Sequence, residues 1–105
     1  MVLTNVPDVA CATQMAEALI NRKLAACVNI LSPCLSVYRW HDQLERSTEI
    51  PMIIKTTRNA YSAVEATLLN MHPYELPEII NLHVDGGLPT YLQWLSAQML
   101  PQSQS

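Results

Sequence analysis

The residue pair most suited to chemistry is Met71-His72, set against Pro73 in the run His72-Pro73-Tyr74-Glu75. Imidazole binds Cu(I), Cu(II) and zinc, and a thioether suits Cu(I), so the pair is a candidate metal site. The following proline keeps His72 out of the α region, which turns it away from the end of any helix before it. Its ring either faces outward as a ligand or caps the last carbonyls of that helix. Met71 also falls on an apolar helical stripe, where it serves the core. His41 sits in a turn, and His83 stands two residues from both Asn81 and Asp85, with acids in reach as partners. Cys11, Cys27 and Cys34 are odd in number and lack CxxC spacing, so they form no disulfide framework. They read as buried or partly buried thiols, with Cys34, beside Pro33, the most reachable.

A second constellation is polar and aromatic. Lys55, Glu49, Tyr74 and Glu75 carry mixed charge, while Tyr38, Trp40, Tyr91 and Trp94 are flat amphipathic walls. A few convergent polar groups between aromatic walls describe a small-ligand pocket, here a cleft between subunits. The same residues also serve as an ion-pair and hydrogen-bond network that registers an interface. Lys55, His72 and Tyr74 are capable of acid–base work, but no nucleophile elbow, phosphate-cradling loop or HExxH helix accompanies them. The chain is not expected to be an enzyme.

The elements that must position these groups follow from periodicity and breakers. Met1–Val6 reads as a strand stopped by Pro7-Asp8. Val9, Ala12, Ala16, Leu19 and Ile20 recur at helical spacing, predicting a helix over about Val9 to Lys23 with Asp8 as its cap. A short strand spans 25–31, Ser32-Pro33 interrupts it, and alternation resumes over Leu35–Trp40. His41-Asp42-Gln43 is the turn, and a return strand runs from about Leu44 to Thr57, with Pro51 tolerated only at an edge or bulge. Tyr61, Val64, Leu68 and Met71 predict a helix over about 60–71 with Asn59 as a plausible cap. Glu78–Val84 is the next strand. Pro89 starts a last helix whose stripe is Leu88, Tyr91, Leu92, Leu95 and Met99. Residues 101–105 are polar and are expected to form a flexible tail.

The order is β-α-β-β-α-β with an extra C-terminal helix: an α+β, ferredoxin-like sandwich with a long central hairpin, in one domain spanning 1–105. Its 105 residues fit a single domain, and half are hydrophobic. The formal charge is −3, with six Lys and Arg scattered rather than grouped, so nucleic acid is not an expected partner. No apolar run reaches the roughly 18 to 20 residues of a membrane span, and the N-terminus lacks signal-peptide character. The chain therefore reads as cytoplasmic.

The central hairpin is longer than so small a sheet needs. The excess projects with Tyr38 and Trp40 on it, and an isolated two-stranded projection is marginal in water. Docking on a neighbouring copy resolves that, with Trp94 as a second contact.

Several strings carry a resemblance. Leu24-Ala25-Ala26-Cys27-Val28-Asn29 is similar to the LAACVN signature of the CutA (divalent-cation tolerance) family. Ser36-Val37-Tyr38-Arg39-Trp40 resembles its S-x-Y-x-W segment. Glu49 with Ile53-Ile54-Lys55-Thr56-Thr57 resembles its E-x-x-(apolar)-KT strand, His72–Ile80 its HPYE-x-P-E-I-I run, and Tyr91-Leu92-Gln93-Trp94 its closing YL-x-W. The resemblance implies a cytosolic homotrimer with a role in divalent-cation tolerance, no reaction, no organic cofactor, and copper bound by some members. Some copper-binding members carry a first-strand Cys and a His pair, where this chain has Thr4 and Met71-His72, so copper or another divalent metal is expected to be weakly held. The same trimeric architecture resembles the PII signalling proteins, which place small ligands in clefts between subunits.

Overall fold

The computed structural model describes residues 1–100; the predicted tail over 101–105 lies outside the described residues. The elements run β1 (Val2–Val6), α1 (Val9–Asn21), β2 (Cys27–Ile30), β3 (Cys34–Trp40), β4 (Gln43–Lys55), α2 (Tyr61–Met71), β5 (Ile79–Asn81) and α3 (Pro89–Ala97). The sheet order is β2-β4-β1-β5, with β3 also on β4, and every pairing is antiparallel. β2 and β3 are two halves of one interrupted strand, paired to successive halves of β4. That gives the predicted α+β, ferredoxin-like fold.

Pro51 lies in an interior strand, not at an edge. Its carbonyl accepts Leu31 N–H at 2.9 Å, so the side of β4 lacking a donor faces the Ser32-Pro33 break between β2 and β3. The ladder loses a bond where its partner strand is already interrupted.

Helices cover one face of the sheet. On β1, Val2, Thr4 and Val6 are buried, and on β4 Ile50, Met52 and Ile54 alternate into the same core. α1 adds Ala12, Met15 and Leu19, while α2 adds Val64, Thr67 and Leu68. Val9 and Ile20, expected on the stripe of α1, are exposed. Asp8 caps α1 as predicted, its carboxylate accepting Cys11 N–H at 2.7 Å. The helix stops at Asn21 rather than Lys23. Lys23 has φ 57° and donates to Ile20 O, while Leu24 N–H reaches back to Leu19 O at 2.9 Å, which is a Schellman ending with lysine where glycine is usual. α2 begins at the Ala60 N-cap with no side-chain cap, so Asn59 does not cap it.

β5 is shorter than predicted, and residues 82–88 are irregular. α3 buries none of its own residues; of its predicted stripe only Met99, just beyond the helix, is buried.

The hairpin turns on two residues, His41 (φ 50°) and Asp42 (φ 64°), with Trp40 opposite Gln43. Left-handed φ at both positions is a type I′ turn, whose twist matches the strands. From Glu49 back toward Gln43 the arm leaves the helices. The molecule measures 46 × 28 × 24 Å, with a radius of gyration of 14.8 Å, against about 13 Å for a compact domain of ~100 residues. Leu35 (66% exposed) and Val37 (57%) stand in the open on one face of the arm.

Candidate functional site

At the root of the arm, on the sheet face away from the helices, lies a cleft of about 600 Å³. Period-2 alternation decides what lines it. Because Ile50, Met52 and Ile54 face the helices, Glu49 faces the other way, with Asn5 of β1 next to it across Pro51. Tyr38 and Trp40 project on the same face from β3. The run Pro73–Leu76 and Glu78 close the other side.

His72 fixes that side. It leaves α2 with φ −75° and ψ 131°, extended as the proline after it demands. Its ring does not cap the helix. Nε2–H donates to Asn5 O at 2.8 Å, and Nδ1 accepts Tyr74 N–H at 3.2 Å. One nitrogen donates and the other accepts, so the ring is the neutral Nε2–H tautomer with both nitrogens engaged. The Tyr74 ring lies 4.8 Å from it, tilted by 54°.

Tyr74 then reaches Glu49. Burial, followed by the hydrogen bond its phenol donates to the Glu49 carboxylate and by that carboxylate's charge, pushes the Tyr74 hydroxyl far above its ordinary range. Glu49 is 8% exposed. Ser47 Oγ donates to Tyr38 Oη at 3.2 Å, and Asn5 Nδ2 donates to Glu78 Oε1 at 3.1 Å. Backbone of β1, ring of His72, ring of Tyr74 and carboxylate of Glu49 thus form one chain of contacts across the cleft floor.

Of the residues singled out in the sequence, Tyr38, Trp40, Glu49, Tyr74 and Glu75 share this cleft. Lys55, Tyr91 and Trp94 do not. Lys55 follows Glu49 by six residues on β4, which is about 20 Å of strand. Its ammonium lies 6.0 Å from the Tyr91 ring centroid, and Tyr91 lies 5.6 Å from Trp94. Sequence reasoning missed Asn5 and Glu78. Alternation along β1 and the antiparallel register of β5 were the available signals.

A metal finds no prepared site at Met71-His72. Both His72 nitrogens are committed to backbone, and Met71 packs against the core. Thr4 is buried toward the helices, its hydroxyl without a partner. Among the described residues no group of His, Cys, Asp and Glu is drawn together to hold a metal. His83 contacts the Arg58 guanidinium rather than an acid, and His41 stacks edge-on against Trp40 at 4.7 Å. All three cysteines are free and half-buried; burial and then Asp8 raise the Cys11 thiol's pKa.

The comparisons with known proteins agree on one kinship. The family model for CutA1 divalent ion tolerance protein matches residues 1–98. The chain belongs to the CutA1 family. A CutA divalent-cation tolerance protein from Pectobacterium atrosepticum is 39% identical over 99 residues, covering 94% of this chain and 90% of the relative. The CutA1 crystal structure from the psychrotrophic bacterium Shewanella sp. SIB1 superposes with a TM-score of 0.91 at 41% identity, over 93% of this chain and 92% of that one. A structure titled periplasmic divalent cation tolerance protein CutA, from Archaeoglobus fulgidus, gives 0.89 at 33% identity, over 92% and 94% of the two chains. The CutA1 family is named for tolerance of divalent cations, not for a reaction. No helix among the described residues is long and apolar enough to cross a membrane.

Proposed function

We propose that this CutA1 chain is a cytoplasmic homotrimer that serves the response to divalent cations as a sensor or adaptor, with the Glu49–Tyr74 cleft as its ligand site. The observation that carries this is the cleft itself: a buried carboxylate, held by Tyr74, at the floor of a pocket walled by Tyr38 and Trp40. Pockets with few fixed polar groups and aromatic walls are where small ligands bind.

Trimerisation is supported by what the helices leave bare. Leu3, Pro51, Ile53 and Ile80 lie on the uncovered sheet face, and Leu35, Val37 and Leu44 are exposed on the arm. Apolar surface of that extent marks an interaction site.

Copper at Met71-His72 is the rival, favoured by the family's name. It requires His72 to release Asn5 O or Tyr74 N–H, so occupancy comes at the expense of the cleft wall.

A thermal-shift series on the purified protein separates the two. Small organic and inorganic ligands, tested alongside Cu(I), Cu(II) and Zn(II), are expected to include stabilising compounds whose effect is lost in Glu49→Gln and kept in Met71→Leu. Stoichiometric copper binding lost in His72→Ala, with no ligand sensitive to Glu49→Gln, would overturn the cleft in favour of the metal. Fractionation of cells tests the compartment, and recovery with periplasmic markers would contradict it.

A further inference from the structure

We propose that the cleft takes a small organic cation, an amine or quaternary ammonium with an apolar body. This rests on the cleft being the ligand site and names the class of ligand.

Charge sets the sign. Glu49, Glu75 and Glu78 line the cleft, and no Lys or Arg does. The basic residues nearest in sequence, Arg39 and Arg46, alternate onto the opposite face of the arm, where Val37 pairs with Arg46. An anion entering would meet carboxylates and no counter-charge.

The walls set the type of cation. Tyr38, Trp40 and Tyr74 supply ring faces, and Pro73 and Leu76 supply apolar surface. Carboxylate together with aromatic faces recognises alkylammonium groups, through direct ion pairing and the negative face of the rings. Three of the chain's six Tyr and Trp residues meet here.

A bare divalent ion fits less well. Mg²⁺ and Ca²⁺ need about six or more oxygens converging at roughly 2.0–2.6 Å. Here the carboxylates are spread around some 600 Å³, Glu78 is engaged by Asn5 and Glu49 by Tyr74. Diffuse negative charge with wide spacing matches a large cation whose charge is shielded by methyl or methylene groups.

The native protein, with Trp94→Phe to leave Trp40 as its only tryptophan, is titrated with choline chloride and read by Trp40 fluorescence, with sodium chloride at equal ionic strength and sodium phosphate as controls. Saturable change with choline alone is expected. Glu49→Gln should weaken it by roughly tenfold or more, the worth of a charge-assisted contact. Glu75→Gln, an exposed change that leaves folding alone, should weaken it by a few-fold and covers the case in which Glu49→Gln fails to fold. Tyr38→Leu, which removes a ring face and keeps the charge, should also weaken it. No saturation by choline overturns the inference, as does equal affinity in the Glu75 and Tyr38 variants. If Mn(II) saturates the same signal and choline does not, the ligand class is wrong while the cleft stands as the site. If neither binds, both fall.

Discussion

β4 passes through two environments, and they make opposite demands on sequence. From Ile50 to Ile54 every second side chain is buried against α1 and α2, and β1 and β2 flank the strand. From Gln43 to Thr48 the same strand has one partner, β3, and no helix above or below, with Leu44 exposed. One strand is thus a core element at one end and half of a free-standing ribbon at the other. The core half is covered by the chain's own helices. The ribbon half would gain burial only by docking on another molecule, as proposed above, and the cleft sits at the boundary.

The largest contrast should appear on deleting apolar mass in each half. Leu68→Ala, in α2 at 0% exposure, should cost about 2–5 kcal/mol by urea unfolding, as core truncations do. Val37→Asp, at 57% exposure, should change the stability of a lone subunit by less than about 0.5 kcal/mol, yet abolish association in a sizing experiment. If Val37→Asp keeps the native mass, the arm is not the docking surface.

The boundary itself gives a subtler test. Tyr74→Phe removes the phenol donated to buried Glu49 and should cost about 1–3 kcal/mol near neutral pH. The Tyr74 pKa is raised in the folded state. Its contribution is therefore fully present below the ordinary tyrosine pKa of about 10 and is lost as pH climbs toward the folded value. Tyr61, hydrogen-bonded to Glu65, shifts in the same direction. The difference between wild type and Tyr74→Phe isolates Tyr74, and it should shrink above about pH 10. A difference that is flat with pH would refute the Tyr74–Glu49 bond.

The smallest effect belongs to the core half. Lys23 holds left-handed φ at the end of α1. Lys23→Gly should therefore stabilise by up to about 1 kcal/mol, measured as a rise in the urea midpoint at unchanged slope. Destabilisation would mean that the lysine side chain matters more than its backbone.

How far each half was legible follows the same division. The core half announced itself through period: Asp8 before an amphipathic run, alternation through Ile50, Met52 and Ile54, and a proline ending α2. Val9 and Ile20 were misplaced because both lie on one flank of the helix and helical spacing alone does not fix which way the stripe is turned; packing against β1 and β4 turns the buried face toward Met15, which the predicted stripe left out, along with Ala12 and Leu19. Asn59 failed as a cap because the chain enters α2 through Ala60, which is buried. α3 shows a good apolar stripe and buries of it only Met99, just past the helix end, since a stripe reports an available face and not its partner. At the site, Tyr38, Trp40, Glu49, Tyr74 and Glu75 were legible as residue types. Their separation from Lys55 was not, because distance along a strand only matters once its register is known. His72 was legible as special because of Pro73, but its role as a latch between Asn5 and Tyr74 depends on β1 lying beside the end of α2.

Static light scattering of the purified protein tests the central claim most directly. Three copies of the 11.8 kDa chain should scatter as a single species of about 35 kDa. A stable species of 11.8 kDa at micromolar concentration would contradict the account, because the arm and the bare sheet face would then have no partner to cover them.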